Sequence, residues 1–336
     1  MTDQIGVIGG GAWGTTLAVK LAAGQRPVTL WAHTPQANEE LATLRENRRY
    51  LPGIVFPPNL RVATDEAYLS EPHRLFVLAV PSAHLRATLQ HLREALFAQA
   101  SLLSVVKGIE QGTHLRMSQV IEEELPGRRV AALSGPNLAR EIAASLPAGS
   151  VVASHDADLA AELGSVLGSD RFRVYTNPDL IGVELCGALK NVVALAAGFV
   201  DGLGFGDNAK AGIITRGLAE MTRLGVAAGA QQLTFAGLAG MGDLIATCMS
   251  PISRNRRAGE LMAAGMSWTD AAARLNGVAE GVFTVRGALQ LAAEHAVELP
   301  IAEQVEAVVH AGRPPMQAVG ELMARVPKDE LTGLRA

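Results

Sequence analysis

One charged residue stands in the run CGALKNVVALAAGFV, Cys186 to Val200: Lys190. An ammonium taken out of water costs several kcal/mol unless it is partnered, and burial can lower a lysine pKa by roughly 3 to 5 units. An amine held in that way can give a proton to a carbonyl oxygen receiving hydride, or take one from an alcohol losing it. A lysine that snorkels to the surface is the plain alternative. In GLAGMGDLIATC, Asp243 is equally isolated among apolar residues, and Thr247, four positions on, shares its face if the segment is helical. An aspartate there needs a cation, and Lys190 is the natural one; a carboxylate beside it raises the lysine pKa while burial lowers it. Ser253, Arg254 and Asn255 then set a hydroxyl, a planar guanidinium and an amide in succession, the donors of a phosphate clamp opening a helix, unless SRNRR is merely a charged turn. Lys107 follows SLLSVV directly, which puts its ammonium at the edge of a strand.

A second chemistry is written near the start. VIGGGAWGTTLAVKLAAG sets Gly9, Gly11 and Gly14 in the G-x-G-x-x-G arrangement after an apolar run, ahead of a helix that Gly24 can cap. The first glycine permits a tight turn, the second lets backbone approach a pyrophosphate, and the third lets helix and strand pack closely. Free N–H groups at the helix start would hold the phosphates. About 20 residues on, where an acidic residue would bind the ribose hydroxyls of NAD, the chain reads WAHTP. With no carboxylate to repel a 2′-phosphate and with His33 able to donate to one, NADP is admitted beside NAD, and the preference between them stays open; otherwise His33 is a surface loop residue.

These groups need a frame. IGVIGG, PVTLWA, RLFVLAV, SLLSVV, RVAALSG and FRVYTN read as strands, five of them ending in polar or glycine-bearing loops: GGGAWG, HTPQ, PSAH, KGIEQG and GPNLA. Strands alternating with helical segments predict an α/β fold with a parallel sheet covered on both faces, and ligands outside the carboxyl ends of its strands. Asn177-Pro178-Asp179 signals a helix start, and beyond it Ala-, Leu- and Gly-rich helical periodicity runs to about Arg325. The expectation is an N-terminal Rossmann-type domain over 1–178, an all-helical C-terminal domain over 179–330, and a loose polar tail at PKDELTGLRA.

With 49% hydrophobic and 18% charged residues the chain suits a large buried core, and a net charge of −4 without a long basic block argues against nucleic acid as partner. Cys186 and Cys248 make no disulfide framework, and neither they nor the scattered histidines show metal-ligand spacing, so no metal is expected. The hydrophobic run IGVIGG begins after four residues, too early for a signal peptide, and the apolar run around Lys190 reads as too short for a bilayer. A cytoplasmic protein without stable membrane insertion is expected, and the apolar helical half suggests a homodimer.

Taken together, GGGAWGTTLA, VVKGIE, SGPNLAREIA, NPDLIGVELCGALKNVVALAAG, ITRGLAEMTRLG, GMGDLIATC, SRNRR and VAEGVFT resemble bacterial-type NAD(P)-dependent glycerol-3-phosphate dehydrogenase over nearly the whole chain. The resemblance implies interconversion of dihydroxyacetone phosphate and sn-glycerol 3-phosphate for phospholipid synthesis, with Lys190 as general acid/base and Lys107 and Asp243 completing the active site. It implies a substrate lined by Lys107, Gly135, Asn137, Lys190, Asp243, Thr247, Ser253, Arg254 and Asn255. The glycine turn, Ala12, Trp13, His33, Lys107, Ala139, Arg254, Val278 and Glu280 would hold the cofactor. The family usually has Ser or Thr where this chain has Asn137. The rivals are a β-hydroxyacid dehydrogenase, whose catalytic lysine is followed by Asn four residues later and not, as with Asn191, immediately, and a non-catalytic NADP-sensing regulator, which would have no use for the lysine, the aspartate and the clamp.

Overall fold

The computed structural model describes residues 3–327, 329 and 330, so Lys328 and the stretch from Leu331 of the expected polar tail lie outside the described residues. The chain divides into two compact units: Met1–Val106 with Met117–Leu133 and Asn137–Leu180, and Lys107–Arg116 with Ser134–Pro136 and Ile181–Ala336.

In the first unit the described residues form an eight-stranded sheet of β1 (Ile5–Ile8), β2 (Val28–Trp31), β3 (Leu60–Val62), β4 (Leu75–Leu78), β5 (Ser101–Ser104), β6 (Val130–Ser134), β7 (Ala148–Ala153) and β8 (Phe172–Asn177). The order is β3-β2-β1-β4-β5-β6-β7-β8. The pairs β1–β2, β2–β3, β1–β4, β4–β5, β5–β6 and β7–β8 are parallel. The chain leaves β1 toward one edge and returns to β4 on its other side, which makes the β1/β4 boundary the switch point where such sheets bind ligands. β1, β2, β4 and β5 are buried along their whole length, the reason their sequences read as unbroken apolar runs without polar alternation. Ile5, Val7, Leu30 and Val77 pack with Leu17 and Leu21 of the Ala12–Ala23 helix in this core. Two strands escaped the sequence reading. β3 has three residues, too few to display a period, and β7 opens on Ala-Gly-Ser. Gly24 caps the Ala12–Ala23 helix with φ −77°, while the left-handed position falls one later, on Gln25.

The second unit is built on the helix Leu180–Gly202, which is long and apolar enough to cross a membrane by length and composition; 94% of its apolar window is buried within the protein. The run expected from the sequence to be too short for a bilayer is thus part of a helix of 23 residues. Neighbouring helices supply the physical reason for its composition, since a helix enclosed on all sides has no face to keep polar. Asp201 near its end pairs with Lys210 of the Gly206–Ala227 helix at 2.8 Å and with Arg256 of the Arg254–Ala263 helix at 2.5 Å. The helices Glu280–Glu294, Pro300–Ala311 and Pro315–Met323 follow.

Candidate active site

Lys190 lies in the middle of the enclosed helix, with its side chain 8% exposed. Its Nζ stands 2.7 Å from Asp243 Oδ1 and 2.5 Å from Thr247 Oγ1. Lys107 approaches the other carboxylate oxygen, 2.6 Å from Asp243 Oδ2, and donates to the Gly135 carbonyl at 2.9 Å. Asp243, 2% exposed, therefore lies between two ammonium groups. It begins the helix Asp243–Met249 directly after a π-helical turn, Leu238–Gly242, and Thr247 follows on the same face, 3.3 Å from Asp243 Oδ1.

Burial is the largest influence on Lys190 and pulls its pKa down from 10.5 to about 8; the Asp243 charge works against this and the Lys107 charge works with it. Burial would push the Asp243 carboxyl up, but the charges of Lys107 and Lys190 and their hydrogen bonds outweigh it and hold the group below its ordinary value. Such a site keeps a carboxylate ionised and leaves an amine able to change state near neutral pH.

The clamp residues take different places. Ser253 caps the Arg254–Ala263 helix, its Oγ accepting from the Arg256 N–H, and is buried. Arg254 is exposed at the first turn; its guanidinium lies against Gly277, where a Cβ would come within 2.7 Å of Nη1 and φ is +111°. Asn255 is buried with both ends of its amide engaged, Nδ2 donating to Asn191 Oδ1 at 2.9 Å and Oδ1 accepting from the Gly281 N–H at 2.9 Å. Val278 and Glu280 are half-buried on the same side of the sequence as Gly277, Glu280 opening its helix. The structure thus brings Lys190, Lys107, Asp243, Thr247 and Gly135 into one hydrogen-bonded group.

In the first unit, Gly9 has φ +127° and Gly14 stands where a Cβ would be 2.0 Å from the Gly9 carbonyl oxygen, so the turn requires both. Gly11 is different. A Cβ there would meet nothing within 4 Å, so the chain's own packing does not ask for glycine, whereas an approaching dinucleotide would. Gly11 also caps the Ala12–Ala23 helix without a side-chain hydrogen bond, and no acidic residue occupies the first turn. Trp13 Nε1 is buried with no partner among the described residues, as is Asn137 Oδ1, while Asn137 Nδ2 donates to Ser150 Oγ at 3.0 Å. Thr16 Oγ1 lies 2.8 Å from the Ala12 carbonyl and 3.2 Å from that of Ala139, joining the starts of two helices. His33 is exposed after β2, and the preceding Ala32 is fixed by Asn38, which accepts from its N–H at 2.7 Å and donates to its carbonyl at 2.9 Å. An open glycine, bare helix N–H groups and an unsatisfied indole fit a dinucleotide. Among the described residues no three His, Cys, Asp or Glu side chains gather where they could hold a metal ion.

The sequence reading missed Asn191, which joins the Asn255 amide to the Lys107 and Gly187 carbonyls, and Asn38 and Asn47, the latter donating to the Gly10 carbonyl and Thr15 Oγ1, each at 2.8 Å. A polar residue beside Lys190 in the apolar run was the one available signal for Asn191.

Comparison with known proteins shows the family of the chain. Residues 4–160 match the family model for the NAD-dependent glycerol-3-phosphate dehydrogenase N-terminus, and residues 179–320 that for its C-terminus. A Chlorobium limicola protein named glycerol-3-phosphate dehydrogenase [NAD(P)+] is 48% identical over 98% of this chain and 99% of its own length. The Thermobifida fusca protein of that name is 49% identical over 98% and 99%. The crystal structure of glycerol-3-phosphate dehydrogenase from Coxiella burnetii superposes with a TM-score of 0.93 at 38% identity, covering 96% of this chain and 99% of that one. The chain belongs to the NAD-dependent glycerol-3-phosphate dehydrogenase family.

Proposed function

We propose that the chain is a cytoplasmic enzyme that interconverts dihydroxyacetone phosphate and sn-glycerol 3-phosphate with NADH or NADPH, for glycerophospholipid synthesis, and that Lys190 is its general acid and base. The observation that carries the reading is the buried Lys190–Asp243–Lys107 group, one carboxylate between two ammonium ions. When bound, the reduced nicotinamide supplies the hydride. Lys190 gives its proton to the substrate oxygen as negative charge grows there, becomes a neutral amine and is reprotonated from solvent; in the reverse direction the neutral amine takes the hydroxyl proton. Its pKa of about 8 keeps both states accessible near neutral pH. Lys107 stabilises the same developing charge from a position fixed by Asp243 and the Gly135 carbonyl.

On this reading Arg254, with Ser253 and Asn255, holds the substrate phosphate, and Gly135, Asn137 and Thr247 line the rest of the substrate. Gly9, Gly11, Ala12, Trp13, Gly14, His33 and Ala139 hold the dinucleotide, with Lys107, Arg254, Val278 and Glu280 contributing from the helical half. Residues 1–178, apart from the segments 107–116 and 134–136 that belong to the second unit, then serve mainly the cofactor, and those segments with 179–330 mainly the chemistry. The test is nicotinamide absorbance with dihydroxyacetone phosphate and NADH or NADPH in parallel, the wild type beside Lys190→Ala. Losing a positioned proton donor removes about 10²- to 10⁴-fold in rate, so the variant should bind cofactor and turn over slowly. Wild-type turnover by Lys190→Ala refutes the assignment, and a lower KM for NADPH than for NADH would support the role given to His33.

A further inference from the structure

Lys107 begins an excursion beyond β5 that folds back on itself: Ile109 and Arg116 form an antiparallel bridge, and the Glu110 N–H bonds the Leu115 carbonyl at 3.0 Å. Hairpins of this kind are among the more mobile parts of a protein, yet the chemistry proposed for Lys107 needs its ammonium held within a fraction of an ångström. We propose that the ion pair Arg116–Glu184 is the positioning pair of Lys107, pinning the hairpin to the helix that carries Lys190 and so fixing where the Lys107 ammonium stands against Asp243. The inference rests on the roles given above to Lys107 and Lys190.

Arg116 Nη1 lies 2.5 Å from Glu184 Oε2, with the two side chains 14% and 4% exposed. Glu184 belongs to a set on the Leu180–Gly202 helix. Three residues on, Gly187 leaves the space that Lys107 fills, since a Cβ there would stand 3.3 Å from Lys107 Cγ and 2.7 Å from Ser134 Oγ. Four further, Asn191 Nδ2 holds the Lys107 carbonyl at 3.3 Å. Positions three and seven apart share one helical face, so one rigid face grips the hairpin at its far base, receives the Lys107 stem and holds the Lys107 backbone, while Lys190 stands one residue from Asn191. The outer contacts of the hairpin, His114 to Glu294 at 2.7 Å and Gln111 to the Phe283 carbonyl at 3.0 Å, are exposed and correspondingly weak anchors. A buried ion pair can often be replaced by apolar residues with little effect on stability, so stability alone gives no reason for one here, whereas a fixed register does.

The groups that act electrostatically on Lys190 are Asp243, Lys107 and Cys248, and of these Lys107 lowers its pKa. Displacing Lys107 must therefore move the alkaline limb of the reduction profile to higher pH; loosening that admits water to Lys190 would move it the same way, but that shift would persist when Lys107 is already Met, whereas the one caused by displacing Lys107 would not. The experiment compares Arg116→Met/Glu184→Leu, which removes both charges of the pair together, with Glu184→Gln should the double variant not fold, and Lys107→Met as reference, with melting temperature as the control for folding. The expected result is a fall in kcat/KM of about 10- to 100-fold, a limb shifted toward that of Lys107→Met, no further shift when the changes are combined, and partial recovery in Arg116→Lys. A folded variant with the wild-type limb, or a loss that multiplies fully with that of Lys107→Met, overturns the positioning role. If Lys107→Met itself leaves turnover and limb at wild type, the role given to Lys107 falls first.

Discussion

Replacing Asp243 with Asn keeps the shape of the central carboxylate and removes its charge, leaving Lys190 and Lys107 facing one another without a counterion. Opposite charges with centres about 4 Å apart attract by about 4 kcal/mol at an effective dielectric near 20, which is roughly three tenfold steps in a protonation equilibrium. Lys190 is buried, so solvent discounts the figure little, and its pKa of about 8 with Asp243 present sets the starting point. At about pH 7 the wild-type lysine is mostly protonated; in Asp243→Asn the protonated share falls to about one in a hundred. Reduction of dihydroxyacetone phosphate should drop about 100-fold at that pH for this reason alone, and part of the loss should return as the assay is taken toward about pH 5. Oxidation of glycerol 3-phosphate above about pH 8, where the amine is already neutral, should suffer less. The assay is nicotinamide absorbance in both directions across this range, with circular dichroism to confirm folding. If Asp243→Asn keeps its reduction limb near pH 8, the electrostatic account of Lys190 is wrong.

The glycine turn and a buried glutamate give two further tests. Gly11→Ala should leave the melting temperature unchanged, because its Cβ meets nothing within 4 Å, yet weaken NADH or NADPH at least about 10-fold in a fluorescence titration. Gly14→Ala, whose Cβ would stand 2.0 Å from the Gly9 oxygen, should lower the melting temperature by an amount corresponding to about 1–3 kcal/mol; equal melting temperatures for the two variants would contradict this reading of the turn. Glu220 accepts the Ile301 N–H at 2.8 Å at the start of the Pro300–Ala311 helix, and burial raises its pKa from 4.5 to about 7. The folded state then binds the extra proton between those values, so stability falls as pH rises through that window, by about 3 kcal/mol in all. Glu220→Gln keeps a carbonyl acceptor and should flatten this slope and gain stability at about pH 8 in urea denaturation; an unchanged slope would place the titration elsewhere.

Lys190 and Asp243 were legible in the sequence because a lone charge in an apolar run is a local anomaly, and local anomalies need no fold to be seen. The glycine turn was legible because its spacing follows from a strand, a turn and a helix that are contiguous in the chain. Lys107 was half-legible: its place after a strand could be read, but its carboxylate partner lies 136 positions away. Arg116–Glu184 and the Asn191–Asn255 amide pair were invisible for the same reason, since common residue types become distinctive only when folding brings them together. The resemblance to a family supplied Gly135, Asn137, Ala139, Val278 and Glu280, which no local feature marks.

The enclosure of the Leu180–Gly202 helix has a consequence for how this chain can vary. With partners on every side, the helix acts as an indexing rod: inserting or deleting one residue ahead of Lys190 would turn everything beyond it by about 100°. Lys190 would leave its carboxylate and Asn191 would leave the Lys107 carbonyl in a single step. Length changes belong in the surface loops, and within this rod evolution is confined to exchanging one side chain for another.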